Sequence, residues 1–120
     1  MPSSIIGISP NGLQQTSFVR IKEITDAGYT LTDDDLLGQV LLLLNHGSAQ
    51  DLTINTGLIR KQPVSCLNIG AGLWTVVDGG SLAFLNSKGS FLRASEQYSA
   101  FTIMPHPTTD DGYYVVGDLA

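Results

Sequence analysis

The chain divides its apolar residues into short runs, with turn chemistry falling between them about every 8 to 12 residues. Val40-Leu41-Leu42-Leu43-Leu44 ends at Asn45-His46-Gly47-Ser48. Asp51-Leu52-Thr53-Ile54-Asn55 alternates, with Leu52 and Ile54 on one face. Residues 64–69 run into Gly70-Ala71-Gly72, and Leu73-Trp74-Thr75-Val76-Val77 meets Asp78-Gly79-Gly80, the composition of a tight hairpin. Residues 81–85, 91–93, 98–104 and 113–116 continue the series, and no stretch sustains a long helical period. The pattern predicts an all-β fold, an antiparallel β-sandwich or a barrel-like module. No sequence repeat is clear enough to predict a solenoid.

Upstream the reading is less uniform. Residues 1–17 read as an extended N-terminal arm, because Pro2, Gly7, Pro10, Asn11 and Gly12 interrupt any regular period. Ile5, Ile6 and Ile8 stand out within it, either lying on the arm's own domain or docking on a neighbouring subunit. Residues 18–120 form the single β-domain. Phe18, Ile21 and Ile24 are spaced for a helical turn, but the β-branched content of residues 18–24 favours a strand. Asp26-Ala27-Gly28 is a turn and Tyr29-Thr30-Leu31-Thr32 a short strand.

Successive side chains of a strand point to opposite faces, so a sheet with one wet face alternates apolar with polar. Several strands here do not. Val40, Leu42 and Leu44 share one face while Leu41 and Leu43 share the other, and Tyr113 and Tyr114 divide in the same way. A chain of 120 residues folds as one domain whose core is too small to cover both faces of every strand. Leu41, Leu43, Tyr113 and Tyr114 are therefore expected at an interface between copies of the chain.

Charge narrows the partners. Six basic against eleven acidic residues give a formal charge of −5, which offers no field for nucleic-acid phosphates. The longest apolar block, residues 36–44, is interrupted by Gly38 and Gln39 and is far short of the roughly 20 residues of a membrane-spanning helix. The N-terminus lacks the basic start and continuous apolar stretch of a secretory leader. The single cysteine excludes a disulfide framework within the chain and a cysteine-based zinc site.

The groups that could carry chemistry read as structural. Asp33-Asp34-Asp35 lacks the spacing of a calcium loop, and is expected to be solvated or, through Asp33, to cap a turn over Leu36 and Leu37. His46 and His106 have no second metal ligand at short spacing, and no Gly-x-Ser-x-Gly elbow marks a nucleophilic serine. Cys66 lies in an apolar run where a thiol packs as a small hydrophobe. Gly70-Ala71-Gly72 continues into a strand rather than a helix, so it predicts a tight turn with positive φ and not a phosphate loop. No catalytic residue, metal or cofactor is expected.

The C-terminal half carries a cadence of its own. Asn68-Ile69-Gly70-Ala71-Gly72 precedes Trp74-Thr75-Val76-Val77-Asp78-Gly79-Gly80, then come Leu92-Arg93-Ala94 and Gln97-Tyr98-Ser99-Ala100-Phe101, and Gly117-Asp118-Leu119 closes the series. With Asp26-Ala27-Gly28-Tyr29-Thr30 as an opening strand, residues 25–120 resemble a β-module of tailed-bacteriophage structural proteins: capsid decoration (cement), head-fibre and tail-fibre proteins. The resemblance implies a virion protein made in the host cytoplasm, homotrimeric and without catalysis. A short arm and no fibre shaft point within that group to a decoration protein that binds the major capsid protein at the capsid surface and stabilises the shell, with Ile5, Ile6 and Ile8 in capsid contact. The alternative is a tail-fibre or head-fibre module whose exposed aromatics face a host glycan.

Overall fold

A computed structural model describes residues 20–120, so the arm with Ile5, Ile6 and Ile8 lies outside the described residues. Among the described residues nine strands follow one another: β1 (Arg20–Ile24), β2 (Tyr29–Thr30), β3 (Val40–Leu44), β4 (Gln50–Ile54), β5 (Val64–Asn68), β6 (Trp74–Asp78), β7 (Phe84–Ser87), β8 (Ala100–Pro105) and β9 (Gly112–Gly117). Two short 3-10 turns, Asp33–Leu36 and Lys88–Ser90, are the only helical elements among the described residues. The expectation of a β-rich chain therefore holds.

The expected antiparallel pairing does not. The strands form one six-stranded sheet in the order β1-β3-β5-β8-β9-β7 and one three-stranded sheet in the order β2-β4-β6. Strands β1 to β6 alternate between the two sheets, so β1, β3 and β5 pair in parallel, as do β2, β4 and β6, whereas β7, β8 and β9 all join the larger sheet. Each circuit of chain lays one strand on each sheet, and three circuits stack as the rungs of a short solenoid-like winding. Among the described residues the antiparallel ladders are the two that β8 makes, with β5 on one side and β9 on the other. The physical reason is the turns. Asn45-His46-Gly47-Ser48 and Gly70-Ala71-Gly72 are corners between sheets rather than hairpins, so the strand leaving each corner cannot pair with the one entering it. Asp78-Gly79-Gly80 is likewise no hairpin, because β6 and β7 belong to different sheets.

Between the sheets lies the core. From the six-stranded sheet come Val40, Leu42, Leu44, Val64, Cys66, Phe101, Ile103 and Val115; from the other come Leu52, Ile54, Trp74 and Val76. Parallel register stacks them in columns, such as Leu42 over Cys66 and Leu44 over Asn68. Burial of this apolar surface is the main favourable term in folding.

The two ends of the winding are closed differently. At the C-terminal end, Leu92 and Ala94 exchange backbone hydrogen bonds with Val76 and Trp74, which covers the edge of β6. At the N-terminal end the pattern places Arg20 and Lys22 at the inward positions of β1, above Val40 and Leu42. Charges pointing inward on an edge strand oppose uncontrolled edge-to-edge pairing.

Candidate functional site

Among the described residues, the outer face of the six-stranded sheet leaves several large apolar side chains in contact with water. Strand pairing sets Ile21, Leu41, Ser65, Thr102 and Val116 in one row across β1, β3, β5, β8 and β9. A second row runs Glu23, Leu43, Leu67, Ala100. Beyond them, Met104 and Tyr114 pair across β8 and β9, and Asn86 continues that row on β7. Ile21 is 59% exposed, Val116 48% and Tyr114 39%, with Leu41, Leu43 and Leu67 half-buried. Glu23 is the one charge in these rows. A shallow groove lined by Leu41, Leu67, Phe101, Thr102 and Val116 crosses the middle of the face. Near its β7 edge, Phe84, His106 and Tyr114 cluster, with ring centres 5.1 to 6.0 Å apart.

Three of the four residues expected at an interface thus lie on this face: Leu41, Leu43 and Tyr114. Tyr113 does not. It points inward, is 2% exposed and packs in the core, and its burial, with Asp111, Asp33 and Asp110 nearby, pushes its phenol up to about 12. Alternation along β9 decides between the two tyrosines, but the sequence does not show which of two adjacent tyrosines faces in. The expected interface does not include Phe84, His106, Met104 or Val116, and His106 enters the sequence reading only as a metal ligand without a partner. Val116 was visible in the two-sided pattern; Phe84 joins the face because β7 pairs in parallel with β9, and His106 because it continues β8 and its N–H donates to the Gly112 carbonyl.

The aspartate triplet separates into three structural roles. Asp35 is fully buried, and its carboxylate accepts from Lys22 Nζ at 2.6 Å, Tyr29 OH at 2.8 Å, and the Thr32 N–H and Oγ1. Asp34 bridges Arg20 at 2.6 Å and Lys22 at 2.8 Å, which holds its carboxyl well below the usual carboxylate range. Burial and the hydrogen bond to Asp35 push the Tyr29 phenol up to about 12. Asp33 accepts from the Ile59 and Arg60 N–H groups and tethers the loop after β4. It does not cap the 3-10 turn: Thr32 opens that turn, and Asp35 reaches back to its N–H. With its oxygens committed to these donors, the cluster closes the first rung.

The other polar groups are also engaged locally. His46 Nδ1 accepts from the Ser48 N–H at 3.1 Å, and His106 Nδ1 from Thr109 N–H at 3.0 Å, each within its own turn. Burial pushes the Cys66 thiol up, so it carries no thiolate at neutral pH. Ser99 Oγ donates to Asp118 at 2.9 Å and lies 2.8 Å from Ser95 Oγ, and these hydroxyls lower the Asp118 carboxyl. Among the described residues no group of three metal-ligating side chains converges, and no helix is long and apolar enough to cross a membrane.

The residues that carry the phage-module resemblance are therefore fasteners of the fold. Ser99 of Gln97-Tyr98-Ser99 bonds Asp118 of Gly117-Asp118-Leu119, and the Asp118 N–H donates to the Ala100 carbonyl. Comparison with protein-family models, with curated proteins and with solved structures gives no match to this chain.

Proposed function

We propose that the chain is a homotrimeric virion structural protein, a capsid decoration protein that acts by binding rather than by catalysis. The observation that carries this reading is the outer face of the six-stranded sheet, an almost uncharged wall of Ile21, Leu41, Leu43, Leu67, Met104, Tyr114 and Val116 on a protein of formal charge −5. Apolar faces of this breadth on a small acidic domain are covered by association, and copies that repel through their remaining surface must meet where charge is absent. Repeated copies on a symmetric shell then bind with an avidity that one copy lacks. The major capsid protein is the proposed shell partner.

Equilibrium sedimentation of the full chain tests the association, and imaging of assembled particles tests the location. A trimer found on the shell supports the proposal. A monomer at tens of micromolar concentration overturns it, and a trimer confined to the tail moves it to the fibre class. That second reading is favoured by one observation, the Phe84–His106–Tyr114 cluster, half-buried at Phe84 and His106 and exposed at Tyr114, since aromatic faces stack on sugar rings. Specific hits on a glycan array that Tyr114→Ala abolishes would establish it.

A further inference from the structure

A second concavity lies at the margin of the same sheet. The ladder between β7 and β9 ends at Ser87↔Val115, while β8 accompanies β9 on its other side as far as Gly117. Past Ser87 the chain turns away through Lys88-Gly89-Ser90, with positive φ at Gly89 and Ser90. This leaves Val116 and Gly117 without a strand neighbour on the β7 side. Beside them opens a notch of about 570 Å³ lined by Lys88, Phe91, Val116, Gly117 and Leu119. Phe91 is 53% exposed there. A free stretch of strand edge beside an apolar pocket is the arrangement that accepts a short extended segment, its backbone pairing with the edge and its side chains filling the pocket.

The chain itself carries such a segment. Ile5, Ile6 and Ile8 are three isoleucines in four positions of an otherwise small or polar stretch, and in an extended segment Ile6 and Ile8 project to one side. From Ile8 to Arg20 is a reach of up to about 40 Å. The distance from β1 to β9, four strand spacings away in the sheet order, is about 19 Å. Reach is sufficient, and the path decides the destination. An arm running from Arg20 to the notch of its own chain crosses Leu41, Leu67 and Thr102, the face that seats another copy in the function proposed above. The two occupants exclude one another, so once copies associate the arm is directed to a neighbour.

We propose that Ile5, Ile6 and Ile8 of one copy fill the Phe91–Val116–Leu119 notch of a neighbouring copy as an added β-segment. The inference rests on self-association through the outer sheet face. In a closed ring each copy gives one arm and receives one, which locks the ring without further contacts.

Disulfide trapping between full-length chains tests it. Chains carrying Ile6→Cys are mixed with chains of different mass carrying Phe91→Cys, reassembled and oxidised, with circular dichroism checking that each variant is folded. The control partner carries Ser81→Cys, an exposed position outside the outer-face rows and the notch. The expected result is an Ile6→Cys to Phe91→Cys cross-link about tenfold above the control, in line with a tethered, high effective concentration. Equal yields overturn the arm's placement. So does the double variant, Ile6→Cys with Phe91→Cys in one chain, if it closes mainly within itself under conditions where copies associate. Sedimentation separates the two proposals: association without the cross-link defeats only the arm inference, whereas a chain that never associates defeats both.

Discussion

Asn68 occupies the position where the column of Ile24 and Leu44 would otherwise continue, and it is completely buried. Its amide donates to the Gly70 and Gly72 carbonyls, both at 3.0 Å, and its oxygen accepts the Trp74 N–H at 2.9 Å. One side chain thereby satisfies three backbone groups at the corner leading to β6. Asn68→Ala is expected to strand those groups and cost about 3 kcal/mol, read as a lower denaturant midpoint with little change in slope. The adjacent glycines show how a correct residue can be read for the wrong reason. Gly70-Ala71-Gly72 is a turn, but neither glycine has the expected positive φ. They are glycines because the corner below lies against them: a Cβ on Gly72 would sit 2.0 Å from the Ser48 carbonyl oxygen, and one on Gly70 2.5 Å from the His46 nitrogen. Gly72→Ala must push two rungs apart, so a loss of about 2 kcal/mol or more is expected in the same measurement.

At the level of elements, ion pairs concentrate on the first rung, where Arg20 and Lys22 meet Asp34 and Asp35. Asp34 is held below its ordinary value of 3.8, so its ion pairs contribute above that pH, and the contribution is lost as pH falls through the lower folded value. Tyr29 moves the other way, from 10.0 to about 12, because the folded state favours the neutral phenol. Its contribution is complete below pH 10 and is lost as pH rises towards 12, with buried Tyr113 adding to the same limb. Stability against pH is therefore expected to form a plateau with a fall on either side. Asp34→Asn should flatten the acid fall and Tyr29→Phe the alkaline one, each followed by urea titration across pH. Asp35→Ala leaves Lys22 facing the core without its buried partner, and a loss of about 3 kcal/mol is expected. Faster hydrogen exchange confined to residues 20–37 would assign that loss to the first rung.

These elements also mark what the sequence made legible. Strand positions were readable because apolar runs and turn clusters alternate over short distances, and the outer face was readable from Leu41 and Leu43 set against Leu42 and Leu44. Strand pairing was not, because a corner and a hairpin draw on the same Asn, Asp and Gly residues, and the difference lies in which sheet the chain enters next. Nor did the winding show as a repeat. Stacked positions keep their direction but not their chemistry, as in Lys22, Leu42 and Cys66 or Ile24, Leu44 and Asn68. The true strand edges moved as well: Tyr98 has positive φ and precedes β8, and residues 91–93 make only an isolated bridge to Thr75.

On the scale of the whole molecule, Cys66 reports both folding and assembly. It sits on β5, between β3 and β8, is 1% exposed, and burial raises its thiol far above the ordinary value. A thiol reagent attacks the thiolate, so labelling requires β5 to leave the core first. In the isolated chain the labelling rate is expected to follow the free energy of global unfolding, and Asn68→Ala should raise it more than a hundredfold, given the loss of about 3 kcal/mol above. Assembly adds a second dependence. If copies cover the outer sheet face, the assembled state is stabilised by mass action and β5 opens less often as protein concentration rises. Labelling of the wild-type chain should then slow with concentration. Leu43→Arg, which places a charge on the outer face without entering the core, should remove that dependence while leaving the dilute-limit rate close to wild type. A labelling rate that is the same at every concentration, with sedimentation reporting a monomer throughout, would show that the outer face stays open to water.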